Sequence, residues 1–275
     1  MFHLSIPPLS QQRSLTGIIA QSAQQTGVDF QYLVAQAQLE SGLRPDAKAA
    51  TSSATGLYQF IDQTWMGLIK EKGDQYGLGW AEKAISRNRN GQFSIADKSQ
   101  KNAILALRND AQLSANMAGE FASDNKAYLE DRIGREPESV DLYLAHFLGP
   151  AGAAKFLNHL DASPQGAAAS HFQSAARANR SIFFNRHGEA HSFESIRDRF
   201  EQKLADAVTL VGSGNGLPTN GNMLPSSDGA ARMVQPEDYL RIAQAHARDH
   251  ETTTQSKPFS EPARAAYLML ATLGM

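Results

Sequence analysis

Hydrophobic residues recur at spacings of three and four along most of the chain, which is the pattern of amphipathic helices. The first run of this kind begins at Leu15 and ends at Gly27. The second follows Asp29, whose side chain suits an N-cap, and ends before Gly42. The chain shows no convincing alternating run of the kind that marks a strand, and no internal repeat. The pattern therefore predicts a mostly α-helical protein.

Further helical runs follow in the middle of the chain. Asp62 and Asp110 each precede a run with apolar residues on one side, so we expect both to act as N-caps. Two clean apolar stripes then cover residues 140–148 and 193–208. Because each stripe occupies one face of a helix, we expect these faces to be buried.

The composition changes after residue 211. Glycine, asparagine, serine and proline dominate residues 212–235, a mixture that buries too little surface to order itself. We therefore predict one domain over residues 1–211, followed by a flexible linker over residues 212–235.

Residues 236–275 form a predicted helical tail. Two short helices are expected there, at about residues 236–250 and 261–273. The second is apolar, so it either folds back on the main domain or docks on a partner protein.

Overall composition narrows the class of protein. The 275 residues carry a formal net charge of -2 and are 41% hydrophobic, which is enough to bury the core of one large domain. A charge this close to neutral argues against a nucleic-acid binder, which usually carries a basic field. The chain has no cysteine, so disulfides, thiolate catalysis and cysteine zinc sites are excluded.

The start of the chain bears on its location. The first 17 residues lack the charged and apolar regions of a Sec signal. No run approaches the ~18 apolar residues of a membrane span. We therefore expect a soluble chain with no membrane span and no recognisable export signal.

Glu40, at the end of the second predicted helix, is the first candidate for chemistry. It shares a helix face with Leu33 and Ala37, so its side chain projects inward. Burial in apolar surroundings favours the protonated form of a carboxyl group, which suits a general acid acting on a glycosidic oxygen. The alternative is a solvated glutamate at a helix end. A glycine-opened turn, Gly-Leu-Tyr-Gln-Phe, follows at residues 56–60 and offers a surface for a saccharide.

The Glu40-Ser41 pair and the Gly-Leu-Tyr-Gln-Phe turn, in this order and spacing, resemble two motifs of the Slt-type lytic transglycosylases, which are similar to goose-type lysozyme. The family's second motif has methionine where this chain has Tyr58. Its third motif is Ala-Tyr-Asn-Ala-Gly, and the counterpart here is Ala-His-Phe-Leu-Gly, which begins at Ala145 and includes His146. The resemblance covers roughly residues 12–160, and it implies a lysozyme-like helical domain with its catalytic core in that range.

This resemblance implies cleavage of the MurNAc–GlcNAc β-1,4 bond of peptidoglycan without hydrolysis. A single glutamate protonates the leaving oxygen and then accepts a proton from the sugar's 6-hydroxyl, which attacks the anomeric carbon. The product ends in 1,6-anhydro-MurNAc, and neither a cofactor nor a metal is implied. The implied partner is the glycan strand of peptidoglycan, and the implied location is the periplasm.

Two other functions stay open. A hydrolytic muramidase uses a second carboxylate, for which Asp46 and Asp62 are candidates, although a turn and an N-cap also explain them. A catalytically silent module that binds glycan or scaffolds an envelope-spanning machine also stays open, because the third motif is altered and the tail is apolar. In that case the tail is the expected contact with the envelope machine.

The resemblance assigns Glu40 as the catalytic residue and Ser41, Gly56, Tyr58 and Gln59 to the substrate site. Ser41 either orients the carboxyl group or ends the helix. Tyr58 either stacks on a sugar or belongs to the core. Gln59 presents its amide to the sugar or satisfies the backbone of the turn, and Gly56 lets the backbone approach the substrate closely.

His146 is the remaining predicted substrate-site residue. It stands where the family has a tyrosine that hydrogen-bonds near the catalytic glutamate. A histidine also donates such a bond and titrates near neutral pH, so we hypothesise that it helps to set the protonation of Glu40. The alternative is a satisfied histidine at the edge of a helix.

Overall fold

A computed structural model describes residues 15–50 and 52–214, and this part of the chain is mostly helical, as predicted. The predicted tail and most of the predicted linker lie outside the described residues. The helices are α1 (Leu15–Thr26), α2 (Phe30–Ser41), α3 (Asp62–Lys72), α4 (Gly79–Ala84), α5 (Lys98–Ala106), α6 (Ala111–Ile133), α7 (Ser139–Leu148), α8 (Pro150–Ala162), α9 (Ala168–His171), α10 (Gln173–Ala178), α11 (Arg180–Phe183) and α12 (Phe193–Gly214). Two 3-10 turns, Gly73–Tyr76 and Leu107–Asn109, connect some of them.

Local capping chemistry sets the ends of several helices where the sequence indicates. The Asp29 carboxylate accepts a hydrogen bond from the backbone N–H of Tyr32, and the Asp110 carboxylate accepts one from Leu113, each at 2.8 Å. Gly42 ends α2 in the left-handed conformation, with φ +63°. These three predictions are confirmed, and they place Glu40 in the last turn of α2.

Asp62 does not cap α3, so that prediction is wrong. The helix begins at Asp62 itself, Ile61 is its N-cap residue and provides no side-chain cap, and the Asp62 backbone N–H donates to the Ser53 hydroxyl at 3.2 Å. The carboxylate instead accepts a hydrogen bond from the buried guanidinium of Arg108 at 2.9 Å. Both partners carry a full charge in this bond, whereas an N-cap bond would pair the carboxylate with a neutral backbone N–H, which explains the different partner.

A small antiparallel hairpin was not expected from the sequence. Its strands β1 (Ser86–Arg87) and β2 (Phe93–Ser94) pair Ser86 with Ser94. Strands of two residues are too short to show an alternating pattern, so the sequence gives no signal for them.

The long helix α6 packs against α1 and α8 and forms one wall of the core. Close approach of α1 requires a small residue on α6, because a Cβ at Gly119 would lie 2.4 Å from the Thr26 hydroxyl. A buried hydrogen bond of 2.6 Å from Ser22 to Asn116 joins the same two helices. The pair therefore has a fixed register.

Helix α12 packs against α2, α7 and α8. Its apolar stripe is buried as predicted, and Phe200 lies edge-on to both Tyr143 and Phe147 of α7, with ring centroids 5.3 Å and 5.2 Å away. The helix extends to Gly214, so its last three residues fall in the stretch predicted as linker. Among the described residues, none of the helices has the length and apolar character that a membrane span needs.

Candidate active site

Glu40 lies in a buried position between α2 and the helices packed on it. Its side chain is only 1% exposed, which favours the inward-facing reading over the solvated one. Ser41 follows it, and its hydroxyl donates to the Ala37 carbonyl at 3.1 Å and accepts from the Arg44 N–H at 3.0 Å. Ser41 is therefore bonded to the backbone at the end of the helix, and these two hydrogen bonds do not involve the Glu40 carboxyl group.

His146 of α7 contacts Glu40 directly. Its Nε2 lies 3.0 Å from Oε1 of Glu40, and both side chains are buried. The two residues are far apart in sequence, so the packing of α7 on α2 creates the contact. The histidine of the altered third motif therefore lies next to the Glu40 carboxyl group.

Gln36 flanks the same imidazole on its other side. Its Nε2 lies 3.2 Å from Nδ1 of His146. With the amide oriented in this way, Nδ1 accepts and the proton of the neutral ring is on Nε2, which then donates to Glu40. Gln36 and Glu40 therefore lie at the two ring nitrogens of His146.

The second carboxylate oxygen of Glu40 has no protein partner. Oε2 is fully buried and, among the described residues, makes no hydrogen bond. Buried polar atoms are normally paired, so an unpaired one calls for a functional explanation. Among the described residues, no cluster of histidine and acidic side chains could hold a metal ion.

The charge of Glu40 affects the pKa values of three neighbouring side chains. Burial and the nearby Glu40 charge together raise the pKa of both Tyr32 and Tyr143 above the ordinary tyrosine value. Burial lowers the pKa of Lys203 on α12, while Glu40 acts in the opposite direction. Helices α2, α7 and α12 therefore all contribute groups to one electrostatic environment.

The turn at residues 56–60 is built around a close backbone approach. Gly56 has φ +87°, and a Cβ there would lie 2.0 Å from the carbonyl oxygen of Arg108. The Arg108 guanidinium in turn donates to the Ser53 carbonyl at 2.7 Å and the Phe60 carbonyl at 2.9 Å. Gly56 is thus required by the protein's own packing, independently of any substrate.

Gln59 and Tyr58 also have structural partners in this turn. The Gln59 amide nitrogen donates to the carbonyls of Ala47 at 3.0 Å and Gly56 at 2.8 Å, from a left-handed backbone with φ +51°. Tyr58 is fully buried, and its hydroxyl donates to the Leu33 carbonyl at 3.2 Å. This geometry favours the turn role for Gln59 and the core role for Tyr58, and it joins the turn to α2.

Three residues around Glu40 and the turn at residues 56–60 were not predicted from the sequence. Gln36 had a usable signal, because it precedes Glu40 by four positions and so shares its helix face. No sequence pattern indicates the roles of Arg108 and Lys203, because the residues that they interact with lie far away along the chain.

Comparison with known protein families agrees with the motif resemblance. Residues 17–86 match the model of the family described as transglycosylase SLT domain, which is about a quarter of the chain. The match contains Glu40, Ser41 and the turn at residues 56–60, so the resemblance to Slt-type lytic transglycosylases is confirmed. Together with the helical architecture it confirms the lysozyme-like fold class. His146 and Lys203 lie outside the matched segment.

Proposed function

We propose that the protein is a peptidoglycan lytic transglycosylase with Glu40 as its single catalytic acid and base. The observation that carries the proposal is the state of the Glu40 carboxyl group. His146 binds Oε1 at 3.0 Å, while Oε2 is buried and has no hydrogen-bond partner within the described part of the chain. One oxygen is thus oriented by the protein, and the other is left for the substrate.

In the proposed reaction, Glu40 first donates a proton and then accepts one. Protonated Oε2 donates to the oxygen that links MurNAc to GlcNAc, and the bond from the MurNAc anomeric carbon to that oxygen breaks. The Glu40 carboxylate then takes the proton from the MurNAc 6-hydroxyl as its oxygen bonds to the anomeric carbon. The products are a free 4-hydroxyl on GlcNAc and a 1,6-anhydro-MurNAc end, and Glu40 is protonated again.

The surroundings of the acidic candidates favour this chemistry over hydrolysis. A hydrolase places a second carboxylate about 5–9.5 Å from the first. Asp46 is exposed in the loop after α2, and Asp62 is bound to Arg108. Asp46 is therefore open to solvent and Asp62 is engaged by a cation, and these surroundings favour a mechanism with one carboxylate.

The burial of Glu40 adds a requirement on binding. A side chain that is 1% exposed meets a glycan strand only after neighbouring side chains move. Exclusion of water from the closed site strengthens the hydrogen bond to His146 and protects the anomeric centre from attack by water. This also favours the 1,6-anhydro product. The substrate places the proposed action in the periplasm, at the cell wall.

The decisive experiment is mass spectrometry of soluble products released from purified peptidoglycan. Wild-type protein is compared with Glu40→Gln, and Glu71→Gln is the control because Glu71 is an exposed glutamate on α3. We expect 1,6-anhydro-MurNAc ends from wild type and the control, and at least about a hundredfold less from Glu40→Gln.

Other products would point to the alternatives. Reducing MurNAc ends would mean hydrolysis by a second acidic group. Folded wild-type protein that binds peptidoglycan without releasing any product would instead identify a glycan-binding or scaffold module of an envelope machine, with the tail at residues 236–275 as its proposed contact.

A further inference from the structure

Helix α12 contributes a lysine to the surroundings of Glu40. Lys203 is partly buried, and its Nζ donates a hydrogen bond to the Tyr143 hydroxyl at 3.1 Å. The same ammonium group lies 5.4 Å from the centroid of the Tyr143 ring. A long, flexible side chain is thereby held at one place on α7.

Tyr143 connects this lysine to the proposed catalytic pair. Its ring stacks on the imidazole of His146, with centroids 5.8 Å apart and an interplanar angle of 29°. Phe200, which comes from the same helix as Lys203, packs edge-on against the Tyr143 ring. Contacts therefore run without a gap from Lys203 through Tyr143 to His146, and from there to Glu40.

Charge links the same residues independently of these contacts. Among the described residues, the ionisable groups that interact with Glu40 include Tyr32 on α2, Tyr143 and His146 on α7, and Lys203 on α12. Of these, Lys203 is the one that is cationic over the whole neutral range in its ordinary state. A cation near a carboxyl group favours the ionised form of that group.

We propose that Lys203 is a positioning residue of the Glu40 site, which fixes Tyr143 and His146 and supplies positive charge while Glu40 is ionised. The inference rests on the proposed function, in which Glu40 is ionised after it protonates the leaving oxygen. It assigns a role in the reaction to α12, a helix that lies outside the segment matched by the family.

Three single variants test the charge and separate it from packing. Lys203→Met keeps an unbranched apolar stem and removes the charge, whereas Lys203→Arg keeps the charge. Lys155→Met is the matched control, because Lys155 also lies over an aromatic ring, 5.2 Å from the centroid of Phe172, and donates to a backbone carbonyl at 3.2 Å. Thermal unfolding confirms that each variant is folded.

Two readouts are measured between about pH 5 and about pH 9, the range over which histidine titrates. One is the initial rate of fragment release from dye-labelled peptidoglycan, and the other is the NMR titration of the His146 ring. In Lys203→Met we expect the rate profile and the His146 titration both to move to higher pH by roughly half a unit or more, because a nearby cation is lost. Lys203→Arg restores both, and Lys155→Met changes neither.

The variant Tyr143→Phe tests whether Lys203 acts on His146 through the Tyr143 hydroxyl. It keeps the stacked ring and removes the hydroxyl that holds Lys203, so its effect and that of Lys203→Met should not add in the double variant. Additive effects, or an unchanged His146 titration in folded Lys203→Met, would overturn the positioning role. If wild type releases no fragments but the His146 titration moves as expected, the proposed function fails while the assignment of Lys203 to this site stands.

Discussion

The amide nitrogen of Gln36 lies 3.2 Å from Nδ1 of His146, although the two residues belong to different helices. Gln36 and Glu40 are four positions apart on α2, so one helix face presents two groups within hydrogen-bonding distance of the imidazole. The ring is therefore held at both nitrogens, by an amide on one side and a carboxyl group on the other. An oriented ring keeps Nε2 directed at Oε1 of Glu40.

The first prediction concerns the tautomer of His146. In Gln36→Leu, Nδ1 loses its donor and the ring no longer favours a proton on Nε2, which weakens the bond to Glu40. We expect peptidoglycan cleavage to fall about fivefold, which corresponds to one hydrogen bond of ~1 kcal/mol. The measurement is the initial rate of fragment release at a single pH.

Gln38→Leu is the control for this substitution, because Gln38 lies on α2 but is only partly buried. Equal loss of activity in both variants, or a wild-type rate in folded Gln36→Leu, would contradict the role given to Gln36.

The second prediction concerns His146 itself. In His146→Phe, the buried Oε1 of Glu40 loses its partner, and the loss of a hydrogen bond to a carboxylate favours the protonated form. We expect the pH optimum of cleavage to shift to higher pH. His146→Tyr keeps a donor that ionises only near pH ~10, so we expect it to retain activity with a flatter profile across neutral pH. An unchanged profile in His146→Phe would reject the coupling of His146 to Glu40.

The helix that carries Glu40 could be predicted because its ends are local. Asp29 and Gly42 act on backbone groups within a few residues, so the sequence contains all of the interactions involved. The position of His146 next to Glu40 followed from a family resemblance and not from periodicity. The inward orientation of the Glu40 face followed from its spacing to Leu33 and Ala37.

The remaining parts of the site depend on contacts between distant segments. Asp62 looked like an N-cap because nothing in its neighbourhood indicates Arg108, which takes its carboxylate from 46 positions away. Lys203 reaches Tyr143 across 60 positions, and only the packing of α12 on α7 creates that pair. Helix propensities and sequence motifs describe residues that are close along the chain, so they do not predict contacts between distant residues.

The third prediction concerns the turn that faces α2. In Gly56→Ala, the new Cβ would lie 2.0 Å from a backbone oxygen of Arg108, and backbone atoms cannot move aside as a flexible side chain can. The residue also has φ +87°, which disfavours any side chain. We expect a loss of about 3 kcal/mol or more in the free energy of unfolding, measured by urea denaturation.

Gly134→Ala separates the clash from the backbone strain. Gly134 also has a positive φ, +71°, but a Cβ there would meet nothing within 4 Å. We expect this variant to lose only about 1 kcal/mol. Similar losses in the two variants would show that the contact with Arg108 does not matter.

The last prediction concerns stability at alkaline pH. Tyr32, Tyr58 and Tyr143 are each at most 3% exposed, and burial raises the pKa of all three above the ordinary value of ~10. Unfolded tyrosines release their protons near pH ~10, whereas the folded ones retain theirs, so the folded state binds more protons above that pH. The stabilisation is therefore complete below about pH 10 and is lost as the pH rises further.

Each buried tyrosine should contribute a slope of ~1.4 kcal/mol per pH unit, so the three together give a loss of roughly 4 kcal/mol per unit above pH ~10. This is a large part of the stability of an ordinary domain, so we expect unfolding within about two pH units. Urea denaturation at intervals between about pH 8 and about pH 11 measures the slope. Tyr58→Phe should reduce the slope by about 1.4 kcal/mol per pH unit, while its stability runs parallel to that of wild type below about pH 9. Equal slopes for the two proteins above pH ~10 would mean that Tyr58 ionises within the folded state.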